Sequence, residues 1–126
     1  MTAHRTITAI QKMDRNELLG LFEKLLSRVE MLPAEQKAFV MIFLNGQKYR
    51  TLAKAAGVND ATIARRLRKI AVRISSDNFL TALVQDSPVL REKFISGKTI
   101  TQISRETGLS YYKVKKIIRT NSELSL

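Results

Sequence analysis

Two short runs of the chain carry residues suited to binding a polyanion. In the first, Asp60, Ala61, Thr62, Arg65, Arg66 and Lys69 are set around the apolar positions Ile63 and Leu67. In the second, Tyr111, Tyr112, Lys113, Lys116 and Arg119 are set around Val114 and Ile118. At a helical period each run folds its apolar residues to one side and leaves the others for solvent or a ligand. Arg65 has the planar fork that meets guanine O6 and N7, and Ala61 and Thr62 suit a thymine methyl. One ring of Tyr111 and Tyr112 reads bases or packs on phosphate, while the other is core. Lys48, Arg50, Lys98 and Thr99 precede or open shorter helices, where backbone N–H groups and cations grip phosphate. This is the chemistry of hydrogen bonding and charge neutralisation. Bond-making has little support: His4 is the only histidine, there is no cysteine, and no glycine-rich phosphate loop or clustered carboxylate set occurs. No enzyme activity, cofactor or metal is expected.

The segments that position these residues are written twice. Residues 46–70 read GQKYRTLAKAAGVNDATIARRLRKI, and residues 97–121 read GKTITQISRETGLSYYKVKKIIRTN. At an offset of 51 (97 minus 46), Gly46 meets Gly97, Leu52 meets Ile103, Gly57 meets Gly108, Val58 meets Leu109, Ile63 meets Val114 and Leu67 meets Ile118. Each copy holds a short helix, a glycine suited to a left-handed turn, a polar N-cap (Asn59 or Ser110) and a basic second helix. That is the layout of a helix-turn-helix, which lays its second helix in the DNA major groove. Leu52, Ala53, Ala56, Val58, Ile63 and Leu67 should pin the first pair together. Ala53 and Ser104 are small where the helices cross. The match extends upstream, with Phe43 opposite Phe94 and Leu32 opposite Leu83, so each unit should have a third, supporting helix.

Charge follows the repeat. The chain has 126 residues and a formal charge of +11. Between residues 44 and 75, Lys48, Arg50, Lys54, Arg65, Arg66, Arg68, Lys69 and Arg73 stand against one acid, Asp60. From residue 96 onward, Lys98, Arg105, Lys113, Lys115, Lys116 and Arg119 stand against Glu106 and Glu123. The first 35 residues are balanced, with five basic and five acidic. A surface kept basic for solubility alone would not concentrate its charge on a repeated motif, whereas a polyanion footprint does. The absence of cysteine fits a reducing compartment, and the N-terminus lacks the apolar run of a signal peptide. A cytoplasmic, nucleoid-associated location without membrane contact is expected.

The remaining segments read as helices. Residues 1–12 lack a clear pattern and are expected to form a mobile basic arm. Asp14 and Glu17 have capping-box spacing ahead of an amphipathic helix to residue 31, with Leu18, Leu19, Phe22, Leu25, Leu26 and Val29 on its stripe. That helix either covers the first unit or forms a homodimer or partner surface. Helices are then expected over 34–44, burying Phe39, Val40, and Ile42 or Phe43, and over 49–56, 60–74 and 78–84. Ser87-Pro88 starts a helix that stops at Gly97, Thr99 with Gln102 makes a second capping box, and the last helix should fade near residue 120. The expected fold is all-α: two tandem trihelical helix-turn-helix units with an extra N-terminal amphipathic helix. Its parts are residues 1–31, 32–75 and 76–126.

Residues 32–74, LPAEQKAFVMIFLNGQKYRTLAKAAGVNDATIARRLRKIAVRI, resemble region four of bacterial sigma factors, especially the extracytoplasmic-function group. The shared features are the opening Leu32-Pro33, the helix closing at Gly46, Tyr49 before Leu52-Ala53, the Gly57-Val58 turn, Thr62-Ile63, and Arg66-Leu67 with Lys69. The resemblance implies binding to the −35 promoter element and to the flap of RNA polymerase. Only 31 residues precede Leu32, too few for region two, so a complete sigma factor is not expected. The second unit is similar to helix-turn-helices of site-specific recombinases and transposases. The leading expectation is a transcriptional regulator that binds double-stranded DNA through two tandem readers. The alternatives are a sigma-like accessory factor on RNA polymerase, and the DNA-binding subunit of a recombinase or transposase.

Overall fold

Capping chemistry fixes most of the helix ends. The computed structural model describes residues 3–124 of the chain, with side chains for residues 7–120, and all the regular structure there is helical. Ten helices follow in order: α1 Ala3–Gln11, α2 Arg15–Lys24, α3 Leu26–Val29, α4 Ala34–Leu44, α5 Tyr49–Ala56, α6 Asp60–Ser75, α7 Asp77–Val84, α8 Pro88–Phe94, α9 Ile100–Thr107 and α10 Tyr111–Leu124. The Asp14–Glu17 and Thr99–Gln102 capping boxes both form. Ser76 and Ser87 accept from the N–H groups of Phe79 and Leu90, and Pro88 opens α8. Each such cap satisfies an N–H that the helix itself cannot. The chain divides into two compact units, Met1–Ser75 and Ser76–Leu126.

In the first unit α2 packs on α4 and α6, and α5 packs on α6. Leu18, Phe22 and Val29 are fully buried, so the apolar stripe of the amphipathic segment faces inward, although Leu26 stays exposed. Phe22 meets Phe43 edge to face at 6.1 Å, and Phe43 stacks on Tyr49 at 5.8 Å. Each fully buried Phe contributes about 1.5–3 kcal/mol of transfer energy, so this cluster is a main brace of the unit. Arg15 lies over the rings of Phe43 and Tyr49, at 5.1 and 5.5 Å, and donates to the Gln47 carbonyl at 2.8 Å. It ties the start of α2 to the loop that launches α5. Arg28 donates to the Ile74 carbonyl at 2.7 Å, placing a cation at the C-terminal carbonyl end of α6.

Three expectations need correction. Residues 3–11 are helix α1, packed on α6, where a mobile arm was expected. Ile10 is buried and Arg68 donates to the Met13 carbonyl at 3.0 Å, so long-range contacts anchor a segment without a local signal. The side chain of His4 lies outside the described residues. The amphipathic helix is broken at Leu25, which leaves the helical region and separates α2 from α3. α4 begins at Ala34 as expected, with Pro33 as its N-cap in extended backbone. On α4, Val40 and Phe43 are the buried pair; Ile42 is exposed and Phe39 half-buried.

In the second unit α7 lies against α8, and α8, α9 and α10 pack on one another. Val89, Ile103 and Val114 form its buried centre, with Ile100, Leu109, Ile117 and Ile118 closing around it. α10 continues to Leu124, beyond the expected fade near residue 120.

Candidate nucleic-acid interface

The offset of 51 read from the sequence is also the offset of the helix boundaries. α5 begins at Tyr49 and α9 at Ile100; α5 ends at Ala56 and α9 at Thr107; α6 begins at Asp60 and α10 at Tyr111. Both turns are made by a left-handed glycine, Gly57 at φ +70° and Gly108 at φ +77°. After Gly57 the Val58 N–H returns to the Ala53 carbonyl and the Gly57 N–H to Lys54, satisfying the last carbonyls of α5. After Gly108 the work is shared. The Gly108 N–H donates to the Ser104 carbonyl, and the Ser104 hydroxyl donates to the Leu109 carbonyl at 2.6 Å.

Across each turn the apolar residues close the pair. Leu52, Ala53, Ile63 and Leu67 are buried in the first, as are Ile103 and Val114 in the second. Ala56, expected among the pinning residues, is exposed, and Val58 is half-buried. The buried row on α6 (Ile63, Leu67, Ile70, Ala71, Ile74) leaves Asp60, Ala61, Arg65, Arg66 and Lys69 exposed. On α10, Tyr111, Tyr112, Lys113, Lys116 and Arg119 are exposed. Tyr111 and Tyr112 meet edge to face at 6.0 Å, and Tyr112 is 81% exposed, so neither ring is core. Lys48 and Arg50 are exposed at the start of α5.

Several candidates already hold structural bonds. Asn59 caps α6, accepting from the Thr62 N–H at 2.8 Å and the Thr62 hydroxyl at 2.9 Å. That leaves the methyl of Thr62 as its freer group. Ser110 caps α10 through the Lys113 N–H at 3.1 Å, and Thr99 is half of a capping box. Lys98 pairs with Glu92 and with Glu106, the latter at 2.7 Å. Hydrogen bonds to Glu106 and then Glu92 hold its ammonium group above the usual lysine range. Lys98 would reach a phosphate only by exchanging those carboxylates. Sequence reasoning missed Arg15 and Arg68, whose partners Gln47 and Met13 are distant in the chain.

Tyr49 braces α5 from beneath. Burial pushes its phenol above the ordinary tyrosine range, against the opposing pull of Arg68 and Arg15. The buried hydroxyl finds no hydrogen-bond partner among the described residues. Among those residues no group of three potential metal-ligating side chains gathers, and no helix is long and apolar enough to cross a membrane. No protein-family model, curated protein or solved structure gives a significant match to this chain.

Proposed function

We propose that α5–α6 and α9–α10 are tandem helix-turn-helix readers of double-stranded DNA, and that the chain is a sequence-specific transcriptional regulator. The observation that carries this reading is the common register. The same helix starts, the same left-handed glycine turn and the same N-cap recur 51 residues apart (111 minus 60), each ahead of a helix with an exposed basic face. A second helix presented in this way suits the major groove, which admits one α-helix and displays a distinct pattern for each base pair. In this reading Arg65 and Lys116 occupy equivalent places and face bases, while Lys48 and Arg50 face phosphate. Asn59, Thr99 and Ser110 fix the helix starts.

Selection of bound sites from a pool of random duplex DNA tests the proposal. Two readers should enrich a site longer than one helical turn, about 10 base pairs, with two separated blocks of preference. Failure to enrich any sequence would remove the sequence-specific reading. A second reading, docking on RNA polymerase, is what the resemblance of residues 32–74 to sigma region four implies. Weak, sequence-independent DNA binding together with capture by purified polymerase would favour that reading.

A further inference from the structure

The two proposed readers share a frame and differ at the start of the second helix. At the offset of 51 (111 minus 60), Tyr111 and Tyr112 stand on α10 where Asp60 and Ala61 stand on α6. Tyr112 is 81% exposed and Tyr111 44%. Their rings meet edge to face, with an interplanar angle of 85°, so Tyr111 braces its neighbour. Ser110 fixes the backbone beside them by capping α10 through the Lys113 N–H. Tyr112, Lys116 and Arg119, all exposed, are spaced at i, i+4 and i+7 and form one stripe. Buried Val114 lies about 200° around the helix from Tyr112, so the ring stands at the centre of the face turned away from the core.

An aromatic side chain removes about 150–250 Å² from water when it is buried, and Tyr112 leaves most of that surface wet. A phosphate would not cover it: phosphate is itself solvated, and Lys113, Lys115 and Lys116 stand exposed nearby to serve it. The N-terminal part of a recognition helix meets base edges. Among the groups that base pairs display in the major groove, the C5 methyl of thymine is the apolar one, and the others are hydrogen-bond donors and acceptors. Ala61, at the matching place on α6, offers one methyl group where Tyr112 offers a whole ring. We propose that Tyr112 packs on a pyrimidine C5 methyl, which makes the second unit a reader of thymine and also of 5-methylcytosine. Both bases carry the methyl at the same ring position, so methylation of a cytosine at that place strengthens binding. This inference rests on the DNA-reading proposal above.

The test uses the full-length chain and the duplex enriched by selection, with affinity read by fluorescence anisotropy. Each thymine in turn is replaced by deoxyuridine, which removes the methyl and keeps the pairing. Loss of one buried methyl should weaken the parent about fourfold at the thymine that Tyr112 meets. The same replacement should be neutral in Tyr112→Ala and should keep its effect in Tyr112→Phe, which retains the ring. With a C·G pair at that position, the parent should bind 5-methylcytosine about fourfold more tightly than cytosine, and Tyr112→Ala should not distinguish them. Tyr112 lies outside the core, so circular dichroism should show the same helical fold for all three chains. A methyl response absent from every thymine, unchanged in Tyr112→Ala or lost in Tyr112→Phe would overturn the inference. Equal binding of cytosine and 5-methylcytosine by the parent would overturn it as well, whatever the variants do. If the parent binds no duplex DNA, the DNA-reading proposal itself falls.

Discussion

Replacing Gly57 or Gly108 by alanine should cost each turn the same modest amount, for a reason confined to the backbone. A Cβ built at either position meets no atom within 4 Å, so crowding contributes nothing. Both residues, however, sit in the left-handed region, at φ +70° and +77°. An L-residue there loses about 1–2 kcal/mol. Alanine also stiffens the unfolded chain, which returns about 0.4–1 kcal/mol. The net destabilisation should be about 0.5–1.5 kcal/mol for Gly57→Ala and the same for Gly108→Ala. At about 4–8 °C per kcal/mol for a domain of 60–100 residues, the unfolding midpoint should fall by about 2–12 °C. Asparagine tolerates the left-handed region better, so Gly57→Asn and Gly108→Asn should recover part of the loss. Thermal unfolding followed by circular dichroism, with urea titration as a second measure, reads all four variants. Unchanged or raised stability in Gly57→Ala would refute the left-handed turn. An asparagine as costly as alanine would refute the backbone origin of the cost.

Two further outcomes follow from particular side chains. Tyr49→Phe removes a buried hydroxyl with no partner among the described residues, a group whose burial costs about 1–3 kcal/mol, so the variant should be as stable as the parent or more so in urea titration. Because the folded state holds the Tyr49 proton more tightly than the unfolded state, its contribution is full below the unfolded pKa of about 10 and fades as pH rises through the higher folded value. Stability should therefore fall less steeply above pH ~10 in Tyr49→Phe, and identical alkaline curves for parent and variant would contradict this. Arg65→Ala and Lys116→Ala, measured on the selected duplex and its single-base variants, should separate base reading from phosphate contact. A base reader costs about 1–3 kcal/mol and relaxes one position, whereas a phosphate contact weakens all sequences alike and lowers the salt slope by about one. Arg65 should behave as a reader, and an equal loss on every sequence would show that it grips the backbone.

What the sequence could reveal was what neighbours in the chain decide. The Asp14–Glu17 and Thr99–Gln102 boxes, the Ser87-Pro88 start and the glycine turns are local chemistry, and all appear where the residue types put them. Helix α1 is anchored by Arg68 and by burial of Ile10, contacts that no window around residue 8 contains. The break at Leu25 comes without glycine or proline, within a stripe that continues to Val29. At the candidate interface the exposed face of each second helix was legible from period alone. The prior engagement of Lys98 by Glu92 and Glu106 was not, because the turn between α8 and α9 brings those carboxylates together. The same limit hid the flank that α1 gives α6.

The central claim, two basic readers on duplex DNA, is tested most directly by the salt dependence of binding. Fluorescence anisotropy of the full-length chain on the selected duplex, titrated at several salt concentrations, gives the slope of log affinity against log salt. With roughly six to ten phosphates neutralised by the two units, affinity should fall about a thousandfold or more between about 50 and 200 mM salt. A flat response, or no binding at about 50 mM, would contradict the account.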